Sequence, residues 1–127
     1  MIYVRGCKKK LLAGALSLVM ALSLSVSVFA ARSTTVGYAG STRVTCELGT
    51  SGSSVYASVS ASDYVDATME GWAIFSNGSK KDINAGFSNR TYGDTSVSKS
   101  GEIGEIASCL FTISSEDGEY QHHNYFN

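Results

Sequence analysis

Hydrophobic side chains recur at every second position over long stretches of the chain beyond residue 40. In residues 41–48 the aliphatic side chains occupy even-numbered positions, and in residues 54–62 they occupy odd-numbered ones. A period of two is typical of β-strands with one buried and one solvated face. The short, glycine-bearing segment 49–53 predicts a hairpin connection between these two strands.

A third stretch, residues 63–75, alternates less regularly, with Gly71 as the expected site of a bulge or bend. The Asn77-Gly78 pair that follows is a favoured two-residue hairpin turn, in which both central positions need a positive φ. Further strands are predicted at residues 79–83, 95–99, 106–114 and 119–126.

Two segments have no clear alternation. Residues 84–94 are predicted as a loop, and residues 31–40 as a loose arm or a first edge strand. Nothing after residue 30 shows the 3.6-residue spacing of an amphipathic helix. The sequence therefore predicts one all-β domain over residues 31–127, a small antiparallel β-sandwich or small barrel of about seven strands.

Residues 1–30 have a different character. Basic residues, including Lys8–Lys10, precede a largely apolar, uncharged run that ends in Val28-Phe29-Ala30. This layout predicts a secretory signal peptide, an N-terminal signal helix that is cleaved after Ala30, with an uncleaved membrane anchor as the alternative. The lysine-rich start resembles that of exported Gram-positive proteins, so a secreted bacterial protein is expected.

The charge of the exported part excludes some partners. Residues 31–127 carry six basic and eleven acidic side chains, a net charge of −5. Non-specific binding to nucleic acid, or to an anionic membrane surface, needs clustered Lys or Arg. We therefore expect no nucleic-acid partner, and no membrane association once the signal is removed.

Cys46 and Cys109 are the two cysteines left after signal cleavage, and both lie on the apolar parity of their strands. An even pair in an oxidising compartment predicts a structural disulfide, and two free buried thiols are the alternative. A bridge between two inward-facing rows resembles the inter-sheet disulfide of the immunoglobulin-type sandwich. Trp72 and Ala107 depart from that family's pattern, so the resemblance implies an immunoglobulin-like architecture and no family membership.

The sequence offers few groups for metal binding or catalysis. In a strand His122 and His123 point to opposite faces and do not chelate one metal ion. No serine lies in a G-x-S-x-G turn, and the acidic groups match no EF-hand loop. We expect no cofactor, no metal and no enzymatic activity. The acidic groups considered for calcium are Asp63, Asp66 and Glu70, and residues 116–119.

Asn77 and Asn89 begin sequences that fit the N-glycosylation pattern. In a bacterial protein these matches are expected to be coincidental.

The predicted partner-binding residues are apolar or aromatic side chains on the parity opposite the core rows, together with the 84–94 segment. A second packed face is the alternative explanation for them. The expected function is an exported, non-enzymatic binding module for an extracellular protein or glycan. A secreted bacteriocin-like or toxin-like effector is the alternative, and a small hydrolase comes third. The predicted partner-binding residues are Trp72, Tyr56, Tyr64 and Ile74.

Overall fold

The computed structural model describes residues 32–127, and the predicted signal peptide lies outside the described residues. The described chain folds into six β-strands joined by short turns, which confirms the all-β prediction. No helix in it is long and apolar enough to cross a membrane. The strands are β1 (Arg32–Ala39), β2 (Thr42–Ser51), β3 (Ser54–Phe75), β4 (Lys80–Ser98), β5 (Gly104–Ser115) and β6 (Gly118–Phe126).

Every strand pairing is antiparallel, and the long β3 organises the sheet. The first half of β3 lies between β2 and β4, and its second half lies between β5 and β4. β1 extends the sheet beyond β2, and β6 extends it beyond β5. We call β1, β2, the first half of β3 and the end of β4 paired with it the first wall. The second wall is the rest of β3 and β4, with β5 and β6.

Side chains from the inner rows of both walls form one hydrophobic core. These inner rows are the apolar parities that the alternation predicts, because successive strand residues point to opposite faces. Since both walls face the same core, their outer faces point away from it in different directions. The largest fully buried apolar side chains are Phe75, Phe111, Leu48, Met69, Ile83 and Ile113.

β3 and β4 pass from one wall to the other through an irregular bend. The β3–β4 register shifts between Ser60 and Val65 and again between Val65 and Ala67, and Asn89 on β4 has a φ of 54°. Residues 54–62 and 63–75 are thus one strand, and the predicted strands 79–83 and 95–99 both belong to β4. These two mergers, together with the formation of β1, give six strands instead of about seven. Two separate immunoglobulin-like sheets are not formed, because β3 and β4 belong to both walls.

The 84–94 segment is part of β4, so its prediction as a loop is wrong. Phe87 shows the reason. Its ring fills the space over Gly93, where an added Cβ would lie 2.3 Å from a ring carbon, so it covers the bend from the inside. The polar residues around Phe87 are exposed strand positions, and from the sequence they are indistinguishable from loop residues.

The sheet curls until β1 and β6 are neighbours, which makes the fold nearly a barrel. Within residues 32–127 these two strands have no registered backbone pairing, and side chains close the gap. Asn124, 1% exposed, donates from Nδ2 to the carbonyl of Ser33 and to Oγ1 of Thr35, both at 3.1 Å. Its Oδ1 lies 2.9 Å from Nδ1 of His122. One buried amide therefore joins the two ends of the sheet.

The β3–β4 hairpin has a three-residue loop and not the predicted two-residue turn. The Phe75 N–H donates to the Ser79 carbonyl at 2.9 Å, and the Gly78 N–H donates to the Phe75 carbonyl at 2.7 Å. Gly78 has a φ of 87°, whereas Asn77 does not have a positive φ. This is the hairpin in which a left-handed residue follows a type I turn, so the turn needs one glycine only.

Gly71 does not form a bulge, since it pairs in regular register with Ile83 and Cys109. An added Cβ at residue 71 would lie 2.1 Å from the backbone oxygen of Ser108. Glycine at this position allows β3 and β5 to approach closely, which the sequence pattern does not reveal.

Cys46 and Cys109 are fully buried on inner rows, as their parity predicts, and both are free thiols in the structure. The predicted disulfide is not formed there. Burial raises the pKa of Cys46 to about 12, with a further contribution from Cys109, and raises the pKa of Cys109 to about 11. A protonated thiol is a poor nucleophile, so the closed core does not favour oxidation.

Candidate functional site

A continuous row of side chains crosses the outer face of the second wall. Trp72 on β3 lies opposite Ser108 on β5, which lies opposite Tyr125 on β6. Residues paired in an antiparallel sheet project from the same face, so all three point outward. Tyr125 is 66% exposed, and Trp72 is half-buried.

Apolar and polar side chains extend this row along the strands. Ile74 lies opposite Ile106, and Leu110 lies opposite His123. Ile106 is 39% exposed, and Leu110 is half-buried. We define the Trp72 face as this outward patch of the second wall: Trp72, Ile74, Ile106, Ser108, Leu110, His123 and Tyr125.

Polar contacts fix several of these side chains. Ser108 Oγ hydrogen-bonds to Nε2 of His123. The His123 ring also lies beside the Tyr125 ring, with centroids 6.3 Å apart and planes tilted by 56°. On the other side of the row, Lys80 Nζ is 5.2 Å from the centroid of the Trp72 ring, within the range of a cation–π interaction. The face thus combines two aromatic rings with a serine hydroxyl between them, and that hydroxyl is hydrogen-bonded to the neighbouring His123.

The predicted partner-binding residues do not lie on one surface. Trp72 and Ile74 are on the Trp72 face, but Tyr56 is on the outer face of the first wall, paired with Gly49. Tyr64 lies at the bend and is 63% exposed. All four share the outward parity of β3, and the bend directs that parity to different sides of the molecule.

Tyr56 takes part in a polar cluster on the first wall. Its hydroxyl donates to Oε2 of Glu47 at 3.2 Å, and Arg32 Nε lies 2.8 Å from the same carboxylate. Nearby, desolvation first and a hydrogen bond with Asp94 second raise the pKa of Tyr92, which is 53% exposed. These tyrosines are engaged with neighbouring carboxylates, in contrast to Tyr125.

An acidic cleft of about 470 Å³ lies at the bend. In residues 32–127 no group of three His, Cys, Asp or Glu side chains is arranged to hold a metal ion. Asn89 N–H and Ser41 engage two of the carboxylates around this cleft, Asp66 and Asp117. The cleft is lined by Ser41, Thr42, Asp63, Tyr64, Val65, Asp66, Asn89, Ser114, Ser115, Glu116 and Asp117.

The two histidines project to different sides of β6, as a strand requires. His122 contacts Asn124 and Thr35 at the β1–β6 junction, whereas His123 contacts Ser108 on the outer face. From the sequence both are expected to lie on opposite faces of a strand, and His123 is not among the predicted binding residues. Its signal was available in the parity of β6, which places His123 and Tyr125 together on one face.

Comparisons of the chain with protein-family models, with curated proteins and with solved structures found no match.

Proposed function

We propose that this chain is an exported, non-enzymatic binding module that holds extracellular material through the Trp72 face. The observation that carries the proposal is the cross-strand row in which Trp72, Ser108 and Tyr125 stand side by side. Two aromatic side chains on one outer face of a sheet offer a large, rigid contact area at a small cost in conformational entropy.

The export part of the proposal rests on residues 1–30. Their basic start, apolar run and small-residue end fit a signal peptide, which supports export of the β-domain. An extracellular address is also where a buried cysteine pair such as Cys46 and Cys109 has the chance to form a disulfide.

A binding role fits the Ser108–His123 pair better than catalysis does. Ser108 lies inside β5, whose backbone pairs with β3 on one side and β6 on the other. Its surroundings therefore offer no free backbone N–H to stabilise an oxyanion. Among residues 32–127 no carboxylate hydrogen-bonds to His123, so the third member of a hydrolytic triad is also missing there.

The test measures retention of the purified protein on washed cell-envelope material. We expect Trp72→Ala and Tyr125→Ala each to weaken retention about tenfold, the effect of losing one aromatic contact. Tyr38→Ala is the matched control, because Tyr38 is 60% exposed on the first wall. Tyr125→Ala removes a mostly exposed ring and leaves the core intact, so equal retention of this variant and the parent protein would refute the proposed site.

A further inference from the structure

The spacing of the strands that carry the two aromatic residues of the Trp72 face constrains its ligand. Trp72 and Tyr125 lie on β3 and β6, with only β5 between them. Two steps between neighbouring strands place their backbones roughly 10 Å apart. This distance is close to the length of a disaccharide, so alternate sugar rings of a chain running across the strands would meet one aromatic ring each.

The side chains between the rings suit sugar hydroxyl groups. Ser108 occupies the middle of the row and is hydrogen-bonded to His123. A serine hydroxyl both donates and accepts hydrogen bonds, and a neutral imidazole has one donor and one acceptor nitrogen. Sugar hydroxyls also both donate and accept hydrogen bonds. A purely apolar ligand would leave the remaining donors and acceptors of Ser108 and His123 without partners.

Charge complementarity favours an uncharged ligand. Asp82 on β4 pairs with Trp72 and continues the row, whereas Lys80 and Glu70 lie on opposite sides of it along the strands. One basic and two acidic side chains do not form a cluster of like charges that would attract a polyion.

We propose that the Trp72 face binds an uncharged polysaccharide, with Trp72 and Tyr125 stacking on alternate sugar rings and Ser108 and His123 hydrogen-bonding to sugar hydroxyls. This inference rests on the proposed function and names its ligand class.

The experiment uses pull-down with insoluble cellulose and chitin as neutral probes. Affinity electrophoresis with soluble alginate provides the charged probe. We expect retention by at least one neutral polymer, a loss of about tenfold for Trp72→Ala and for Tyr125→Ala, and a smaller loss for Ser108→Ala. Tyr38→Ala should bind as the parent protein does. Raising the salt concentration should change little, since screening weakens only charge-driven binding.

Several outcomes would overturn the inference. These are retention by alginate alone, no retention by either neutral polymer, or neutral-polymer binding that survives both aromatic substitutions. Envelope retention that depends on Tyr125 but disappears when the envelope is digested with protease would identify a protein ligand, refuting the polysaccharide and leaving the proposed function standing. A concentration-dependent dimer broken by Tyr125→Ala would assign the face to a second copy of the chain and refute both.

Discussion

Asp117 in the β5–β6 turn accepts hydrogen bonds from both the backbone N–H and the hydroxyl of Ser41 in the β1–β2 turn, 76 residues earlier in the chain. The hydroxyl bond is 2.7 Å long. Ser115 adds a bond to the same carboxylate at 2.8 Å. The two ends of the curled sheet are thus joined at their turns by one carboxylate, in addition to the Asn124 amide within the strands.

This arrangement predicts a pH dependence of stability. The hydrogen bonds from Ser41 first, and from Ser115 next, hold the pKa of Asp117 below its ordinary value. A carboxyl whose folded pKa is depressed contributes stability above its unfolded pKa of about 3.9, and that contribution disappears as the pH falls through the folded pKa. We expect Asp117→Asn to be less stable than the parent at pH 7 and to approach it at pH 2–3.

Urea unfolding at both pH values measures this difference. Glu116→Gln, which changes an exposed acid in the same turn, is the control. An Asp117→Asn variant with the same deficit at both pH values would contradict the prediction.

The burial of Cys46 and Cys109 is expected to affect both their rate of alkylation and the pH dependence of stability. With pKa values raised to about 12 and about 11, Cys46 and Cys109 in the reduced, folded protein should resist alkylation at pH 8 and react at once in denaturant. A raised thiol pKa contributes stability that is present below the unfolded value of about 8.5 and is lost at higher pH. The stability of the reduced protein should therefore fall as the pH rises above 9. Rapid alkylation of the native protein would argue against the closed core.

The predicted disulfide is tested by mass. Protein collected from the medium and analysed with and without reductant should show two thiols only after reduction if the bridge forms during export. A bridge between Cys46 and Cys109 would stabilise the fold by about 4 kcal/mol in the chain-entropy model. Because the folded thiols are protonated, we expect oxidation to be faster during refolding than in the native state.

Removal of the Asn124 amide should loosen β1 more than any other strand. Asn124→Ala leaves the Ser33 carbonyl and the Thr35 hydroxyl without this partner, and a lost buried hydrogen-bonding group costs about 1–3 kcal/mol. Hydrogen exchange should then accelerate in residues 32–39 while β5 stays protected. Gln121→Ala, an exposed change on the same strand, should leave β1 protected. Uniform acceleration throughout the sheet would mean that the amide has no special role at this junction.

A matched pair of glycine substitutions tests the close approach of β3 and β5. Gly71→Ala forces a Cβ to within 2.1 Å of the Ser108 oxygen and should cost at least about 1–3 kcal/mol. Gly86→Ala meets its nearest atom at 3.4 Å and should be neutral or slightly stabilising, since strand glycines are costly in entropy. Thermal denaturation of the two variants gives the comparison, and equal melting temperatures would contradict it.

Lys81 is expected to protect the open edge of β4 against self-association. It has the inner parity of its strand, and its Nζ donates to the Ser98 carbonyl at 2.7 Å. An inward-pointing charge on an edge strand is a common protection against edge-to-edge pairing. Lys81→Thr should increase concentration-dependent association in analytical ultracentrifugation, and Lys81→Arg should not. A strictly monomeric Lys81→Thr protein would assign the protection to the bulge around Asn89 instead.

The sequence predicts the inner rows of this fold well because burial and strand geometry impose the same period. Val44, Val59, Met69 and Phe111 all lie on the buried side where alternation places them. The continuity of β3 was not predictable in the same way. Irregular pairing around Val65 marks a bend within one strand, and in the sequence the same irregularity is typical of a break between two strands.

Only the β3 residues of the candidate site could be predicted from the sequence. Trp72 and Ile74 follow from the outward parity of β3 alone, but the other residues of the site come from β5 and β6. Ser108 and Tyr125 join Trp72 through strand register, which depends on the close packing at Gly71 and on the turns. Tyr56 was grouped with Trp72 because parity carries no information on the direction in which a bent strand faces.

The connections between strands consist of two to five residues: 40–41, 52–53, 76–79, 99–103 and 116–117. A protease cleft must engage several consecutive residues in extended form before it cuts, and turns this short do not present such a stretch without local unfolding. The folded domain is therefore expected to resist proteolysis, and the rate of cleavage is limited by how often a strand opens locally.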